Sequence, residues 1–293
     1  MHCSEPKPVC EVGAELGEGP VWDPRDRALW FVDIKNRKVH RYDPATGDYR
    51  TWQSPEPIGF LFPARSGGFL AGLESGLFTF DPDGGTFDRI ATLEADKPHN
   101  RLNDGAVDPD GRLWFGTMDD NEKQKTGAFY RFTDGAVSPT GIGGMVVTNG
   151  PAVSPDGRIL YLVDTFDRRI DQAEIHDDGS LGERRPFVRI EQGAGFPDGP
   201  TVDSEGCVWV GLYSGWQAQR FSPDGKLAGS VRFPTANVTK LAFGGDHLRT
   251  IFATTARHGM SDKQRAEQPL AGHLFQFECD VAGVDCPMVQ LAS

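Results

Sequence analysis

Three short segments present an oxygen-bearing side chain in the same local setting: Leu16-Gly17-Glu18-Gly19-Pro20, Thr148-Asn149-Gly150-Pro151 and Pro197-Asp198-Gly199-Pro200. Taken singly, each is ordinary turn punctuation ahead of a strand. Together they keep a fixed distance to a buried-type aromatic: Glu18 to Trp30 is 12 residues, Asn149 to Tyr161 is 12, and Asp198 to Trp209 is 11. A constant offset places the three at equivalent points of a repeat. If the repeats share an axis, the three side chains converge. Two carboxylates and one amide carbonyl form an all-oxygen set, which suits a hard divalent cation. Without a cation, two converging carboxylates repel and raise each other's pKa. Glu18, Asn149 and Asp198 are therefore the candidate metal ligands.

Two further repeats carry polar residues at this point. Asn103 precedes Trp114 by 11 residues, and its amide suits a further ligand or a donor to substrate. Arg101 would reach the same mouth from an extended loop, where a guanidinium suits hydroxyls, a ring oxygen or a carboxylate product. Lys240 precedes Phe252 by 12 residues; its ammonium could polarise a substrate oxygen or pair with Glu18 or Asp198. Surface or loop-capping roles are the plain alternatives for all three. The second repeat offers only the apolar Ile58-Gly59-Phe60-Leu61. The segments 118–127 and 213–217 follow inner strands and would overhang the channel, with Tyr213 and Trp216 available to stack on a sugar ring. Serine-nucleophile elbows and phosphate- or dinucleotide-binding fingerprints are absent.

The elements that must position these residues are β-strands. An aromatic-rich segment returns six times, each preceded by a turn such as Asp108-Pro109-Asp110-Gly111 or Ser154-Pro155-Asp156-Gly157. Asp, Pro and Gly supply the turn geometry, and β-branched and aromatic residues supply the pleated buried surface. Weaker hairpin signals follow at 41–47, 79–84, 130–135, 175–179 and 220–225. Such a period is a propeller signature. The pattern predicts an all-β, six-bladed β-propeller with four-stranded blades around a central channel, as a single domain over residues 1–293. Residues 9–12 are expected to pair with 272–277 and close the ring, which removes an exposed edge. Ser261–Gln268 is the one helical turn expected.

Composition narrows the partners. The formal charge of −12 argues against a nucleic-acid backbone or an anionic membrane, and no apolar run is long enough to span a bilayer. The five cysteines, Cys3, Cys10, Cys207, Cys279 and Cys286, form no Cys-x-x-Cys pair. They are expected to be reduced thiols of a cytoplasmic protein, a monomer with a small-molecule partner.

The ordered motifs Leu16–Pro20, Trp30–Asp33, Arg101–Gly105, Trp114–Met118, Thr148–Pro151, Ser154–Gly157 and Pro197–Gly199 resemble the sugar lactonase family that includes gluconolactonases, regucalcin (senescence marker protein) and luciferin-regenerating enzymes. The likeness spans nearly the whole chain. Within the family, 33–38, 237–240, 254–262 and 269–272 are most similar to bacterial pentonolactonases such as xylonolactonase and arabinonolactonase. The resemblance implies metal ligands at Glu18, Asn149 and Asp198 and substrate contacts at Arg101 and Asn103. A carboxylate for a sugar hydroxyl would fall within Asp119–Glu122. The implied activity is hydrolysis of an aldonolactone with one divalent ion: Ca, Mg, Mn, Zn or Fe(II) all accept oxygen ligands with one amide. Asp198, with a second oxygen free, is the candidate general base. Two other classes are open at this point, a metal-dependent phosphotriesterase-like hydrolase and a non-catalytic calcium-binding propeller.

Overall fold

Strand after strand hairpins back on its predecessor from the hub outward. In the computed structural model, which describes residues 1–291, there are 24 strands and one short helix among the described residues. The third repeat shows the logic. Asn100–Val107 pairs antiparallel with Leu113–Asp119, which pairs with Gly127–Thr133, which pairs with Ala136–Met145. Burial falls along the same path. The innermost strands Gly17–Asp23, Ile58–Pro63 and Val238–Gly244 are buried at every residue. The outer strands Tyr49–Gln53 and Thr86–Thr92 are mostly exposed. Inner strands covered on both faces need no apolar–polar alternation, so they read as continuous runs.

The six aromatics that mark the repeat all lie on the second strand of their repeat and are buried: Trp30, Phe69, Trp114, Tyr161, Trp209 and Phe252. Two of them explain the turn chemistry that precedes them. Trp114 Nε1 donates to Asp108 Oδ2 and Trp209 Nε1 to Asp203 Oδ2, each at 2.8 Å. The other carboxylate oxygen of each Asp accepts backbone amides of its own turn, from Asp110 and Arg112 or from Glu205 and Cys207. One aspartate thus tightens the turn and satisfies the buried indole, which is why Asp-x-x-Gly runs ahead of Trp.

The expectation of six separate four-stranded blades is not met. Four four-stranded blades are separate sheets, and the other eight strands form one continuous sheet. Its two halves join by a parallel pairing of Gly199 with Lys240. The approach is close enough to need glycine: a Cβ at position 199 would lie 2.6 Å from Lys240 Cδ. The all-β propeller class stands.

Ring closure follows expectation, with Lys7–Cys10 added antiparallel to Leu274–Glu278. Next to that seam Cys3 and Cys279 are joined as a disulfide, a correction to the expectation of five reduced thiols. Cys10, Cys207 and Cys286 are free. The helix is Asp262–Glu267, capped by Ser261, whose side chain accepts from Gln264 N while the Gln264 side chain accepts from the Ser261 amide. No helix among the described residues is long and apolar enough to cross a membrane.

Candidate active site and metal centre

Every innermost strand is interrupted at the same place. Pairing with the second strand shifts register between Glu18 and Val21, Ile58 and Phe60, Leu102 and Gly105, Asn149 and Ala152, Pro197 and Pro200, and Val238 and Leu241. A bulge re-aims side chains that a regular strand would send to alternate faces. The polar residues singled out by spacing, Glu18, Asn103, Asn149, Asp198 and Lys240, sit at or inside these irregularities. The Gly-Pro that follows Glu18, Asn149 and Asp198 builds the bulge.

Glu18, Arg101, Asn103, Asn149 and Asp198 line one cavity of about 290 Å³. All five are buried. Glu18 and Asp198 face the same cavity, and Glu18 Oε2 accepts the Gly19 amide at 2.9 Å. Burial is the first cause that raises both pKa values. Glu18 is pushed up to about 7, with the charge of Asp104 adding to the effect. Asp198 is raised well above the usual carboxylate range, with Glu18 as the next cause. Burial and mutual repulsion thus favour the protonated form of both acids.

The amide of Asn149 is oriented by proton accounting. Thr165 Oγ1 donates to Pro197 O at 3.0 Å, so it accepts from Asn149 Nδ2 at 2.9 Å. Asn149 Oδ1 is then turned toward Asn103 Nδ2, 3.0 Å away, and keeps a second lone pair. Asn103 is fully engaged. Its two amide hydrogens go to Asn149 Oδ1 and to Thr148 O at 2.7 Å, and its Oδ1 accepts Arg101 Nη1 at 2.6 Å. Asn103 therefore orients Asn149 and Arg101 and has no free hydrogen for a substrate. Arg101 is held from its other side by Asp120, with Nε 2.5 Å from Oδ1, and Lys35 shares that carboxylate at 2.8 Å.

Lys240 takes a different position from the one its spacing suggests. Its ammonium donates to Asp104 Oδ1 at 2.5 Å and to Gly105 O at 3.1 Å. It pairs with neither Glu18 nor Asp198, and its stem lines a second cavity, further along the inner strands, with Gly105 and Pro200. Tyr213 and Glu122 line the first cavity, whereas Trp216 does not and is 41% exposed. Within Asp119–Glu122, Asp119 is buried and accepts three amides of its own turn, Asp120 holds Arg101, and Glu122 alone faces the cavity.

Asp104, Asp120 and Thr165 carry the arrangement without having been singled out. Asp104 is one residue past a flagged position, inside Asn103-Asp104-Gly105, where it reads as turn punctuation. Among the described residues no group of three or more His, Cys, Asp or Glu side chains is disposed to hold a metal. The set at Glu18, Asn149 and Asp198 is two carboxylates and an amide, outside that definition. It fits a divalent ion by its chemistry: the donors are all oxygens, and the two acids are forced together in a buried site where a cation relieves their repulsion.

Residues 16–257 match the family described as SMP-30/Gluconolactonase/LRE-like region. A 6-deoxy-6-sulfogluconolactonase of Pseudomonas putida is 35% identical, covering 93% of this chain and 94% of its own. An L-arabinolactonase of Azospirillum brasilense is 33% identical, with 92% and 90% covered. Among solved structures, a calcium-binding protein, regucalcin, from Agrobacterium tumefaciens superposes with a TM-score of 0.93 at 29% identity, covering 97% of each chain.

Proposed function

The chain belongs to the SMP-30/gluconolactonase/LRE-like family, and from that premise we propose that it is a sugar lactonase, a hydrolase that opens an aldonolactone to the aldonic acid. The observation that carries the proposal is the convergence of two buried acids, Glu18 and Asp198, on one cavity also lined by Asn149 and Arg101. Such a pair is costly unless a dication or a proton separates the charges. Both lactonase relatives act on sugar lactones by name. The regucalcin neighbour is calcium-binding by name. These support a divalent metal at Glu18, Asn149 and Asp198 and a pentonolactone, such as xylonolactone or arabinonolactone, or gluconolactone as substrate.

A metal bound there would supply Lewis-acid polarisation of the lactone carbonyl. The chain's own groups do the rest. Asp198 is the base that takes a proton from the attacking water, and burial raises its carboxyl above the usual carboxylate range. Arg101, fixed by Asp120 and Asn103, offers its remaining guanidinium hydrogens to substrate hydroxyls or to the carboxylate product. Tyr213, whose hydroxyl is tied to His258 O at 2.5 Å, presents its ring as a wall. A lactone is already electrophilic, so the acceleration needed from these groups is modest.

The test is a pH-stat assay of chelated protein across pentono- and hexonolactones, with each divalent metal restored in turn. Metal-restored turnover of at least one sugar lactone is expected. Asp198→Ala should lower kcat by about 10²-fold or more. Turnover of phosphotriesters but no lactone would reassign the substrate, and cation binding without turnover would make the protein a binding propeller.

A further inference from the structure

Between the two cavities a single buried ion pair spans the hub. Lys240 reaches across from the inner strand Val238–Gly244 to Asp104 on the inner strand Asn100–Val107, 136 residues away in sequence, and the two close to 2.5 Å. Their side chains are 8% and 1% exposed. Asp104 is satisfied on every side. Its Oδ1 accepts Lys240 and the Gly105 amide at 2.7 Å, and its Oδ2 accepts the Gly150 amide at 2.9 Å. Gly150 directly follows Asn149, so Asp104 holds the turn that aims one proposed ligand. Lys240 lies beside a second proposed ligand, since its stem packs against Gly199, which directly follows Asp198.

We propose that the Asp104–Lys240 strut is a positioning and charge-setting device for the metal centre. It fixes the Asn149 turn and sets the net charge that a cation meets. The inference rests on the metal reading above. With Glu18, Asp198 and Asp104 ionised and Lys240 protonated, the buried set carries −2, which a dication neutralises. Removing the lysine's charge leaves −3, and removing the aspartate's leaves −1. The two single substitutions therefore push affinity in opposite directions. A merely structural pair would behave otherwise, because either substitution would loosen the same site.

The experiment measures affinity of the full chain for Ca²⁺ and Mn²⁺ alone, by competition with a chromophoric chelator and by calorimetry at pH 8. Lys240→Gln, which keeps a donor for Asp104 and for Gly105 O, should bind on the order of tenfold tighter. Asp104→Asn, which keeps an acceptor for Gly150, should bind on the order of tenfold weaker. The double variant should return to within a few-fold of the parent. Circular dichroism identifies any single variant that does not fold, in which case the double variant against the parent decides: an affinity loss on the order of tenfold or more overturns the proposal. Weakening by both single substitutions, or no change in either, also overturns it while leaving the metal site standing. A parent chain that binds no divalent ion would sink the metal reading itself.

Discussion

If Glu18 and Asp198 share a proton because burial forces it, then removing one acid should make the metal-free protein more stable. The perturbation is Glu18→Gln, which is isosteric and keeps an oxygen to accept the Gly19 amide. In the folded protein Glu18 is pushed from 4.5 to about 7, first by burial and then by the charge of Asp104. A carboxyl raised on folding contributes most below its unfolded pKa, and that contribution is lost as pH rises toward the folded value. The loss is 2.5 pKa units at about 1.36 kcal/mol each, or about 3 kcal/mol. Glutamine has no such titration. The stability gap in favour of the variant should therefore widen by about 3 kcal/mol between pH 4 and pH 8, equivalent to about 6 °C in Tm at this chain length. The assay is a series of thermal and urea melts in chelator at each pH. Divalent cation at about 1,000 times Kd should reverse the order, since it adds about 4 kcal/mol to the parent and far less to a variant missing one carboxylate. A gap that does not change with pH, or a variant less stable than the parent in chelator at pH 8, would refute the argument that the two acids are held together against their charge.

Two further outcomes follow from residues away from the cavity. His40 is buried, stacked on Phe31 at 4.9 Å with Nδ1 against Thr51 Oγ1 at 2.9 Å, and burial lowers its pKa from 6.5 to about 4. Its folded value lies below its unfolded one, so stability is full above pH 6.5 and falls as pH drops toward 4. Relative to His40→Gln, the parent should lose about 2 kcal/mol between pH 7 and pH 5, read from urea midpoints. Asp203 joins Trp209 Nε1, Arg220 Nε and two turn amides, and it is fully buried. Asp203→Ala leaves Arg220 Nε and the indole unpartnered, with Glu205 the remaining partner of the guanidinium, and should cost about 3 kcal/mol or more in chemical denaturation. A loss below about 1 kcal/mol would show that water replaces these bonds.

The parts of this molecule that were legible in the sequence are those set by local chemistry. Turn residues and buried aromatics recur at fixed offsets because each repeat solves the same problem, so Trp114 and Trp209 with their turn aspartates announce equivalent strands. Offsets also located Glu18, Asn103, Asn149 and Asp198, because all four lie at the same bulge of an inner strand. What spacing does not encode is which partner a side chain meets across the hub. Lys240 shares the offset, yet its long stem carries the ammonium past Gly199 to Asp104. Gly199 itself looked like turn punctuation, and it is where the inner strands of two groups of four pair into one sheet. Cys3 and Cys279 meet only because the ring closes, 276 residues apart.

The separation of site from core makes an unfavourable charge arrangement tolerable in this fold. The large hydrophobic clusters lie between neighbouring groups of four strands, around Trp30, Phe60 and Phe80 in one sector and Trp209, Phe243 and Phe275 in another. Every inner strand contributes its bulge to the hub, while its flanking residues pack outward into those clusters. An acid at the bulge can thus be destabilising by several kcal/mol without displacing an apolar contact. The ring supplies the rigidity, because moving one inner strand would disturb the sheets on both of its sides. Under this arrangement a substitution at Glu18 or Asp198 should change cation affinity and the pH profile of stability while leaving the β-sheet circular dichroism unaltered, whereas Trp209→Ala should damage the fold with no direct effect on the charges at the hub.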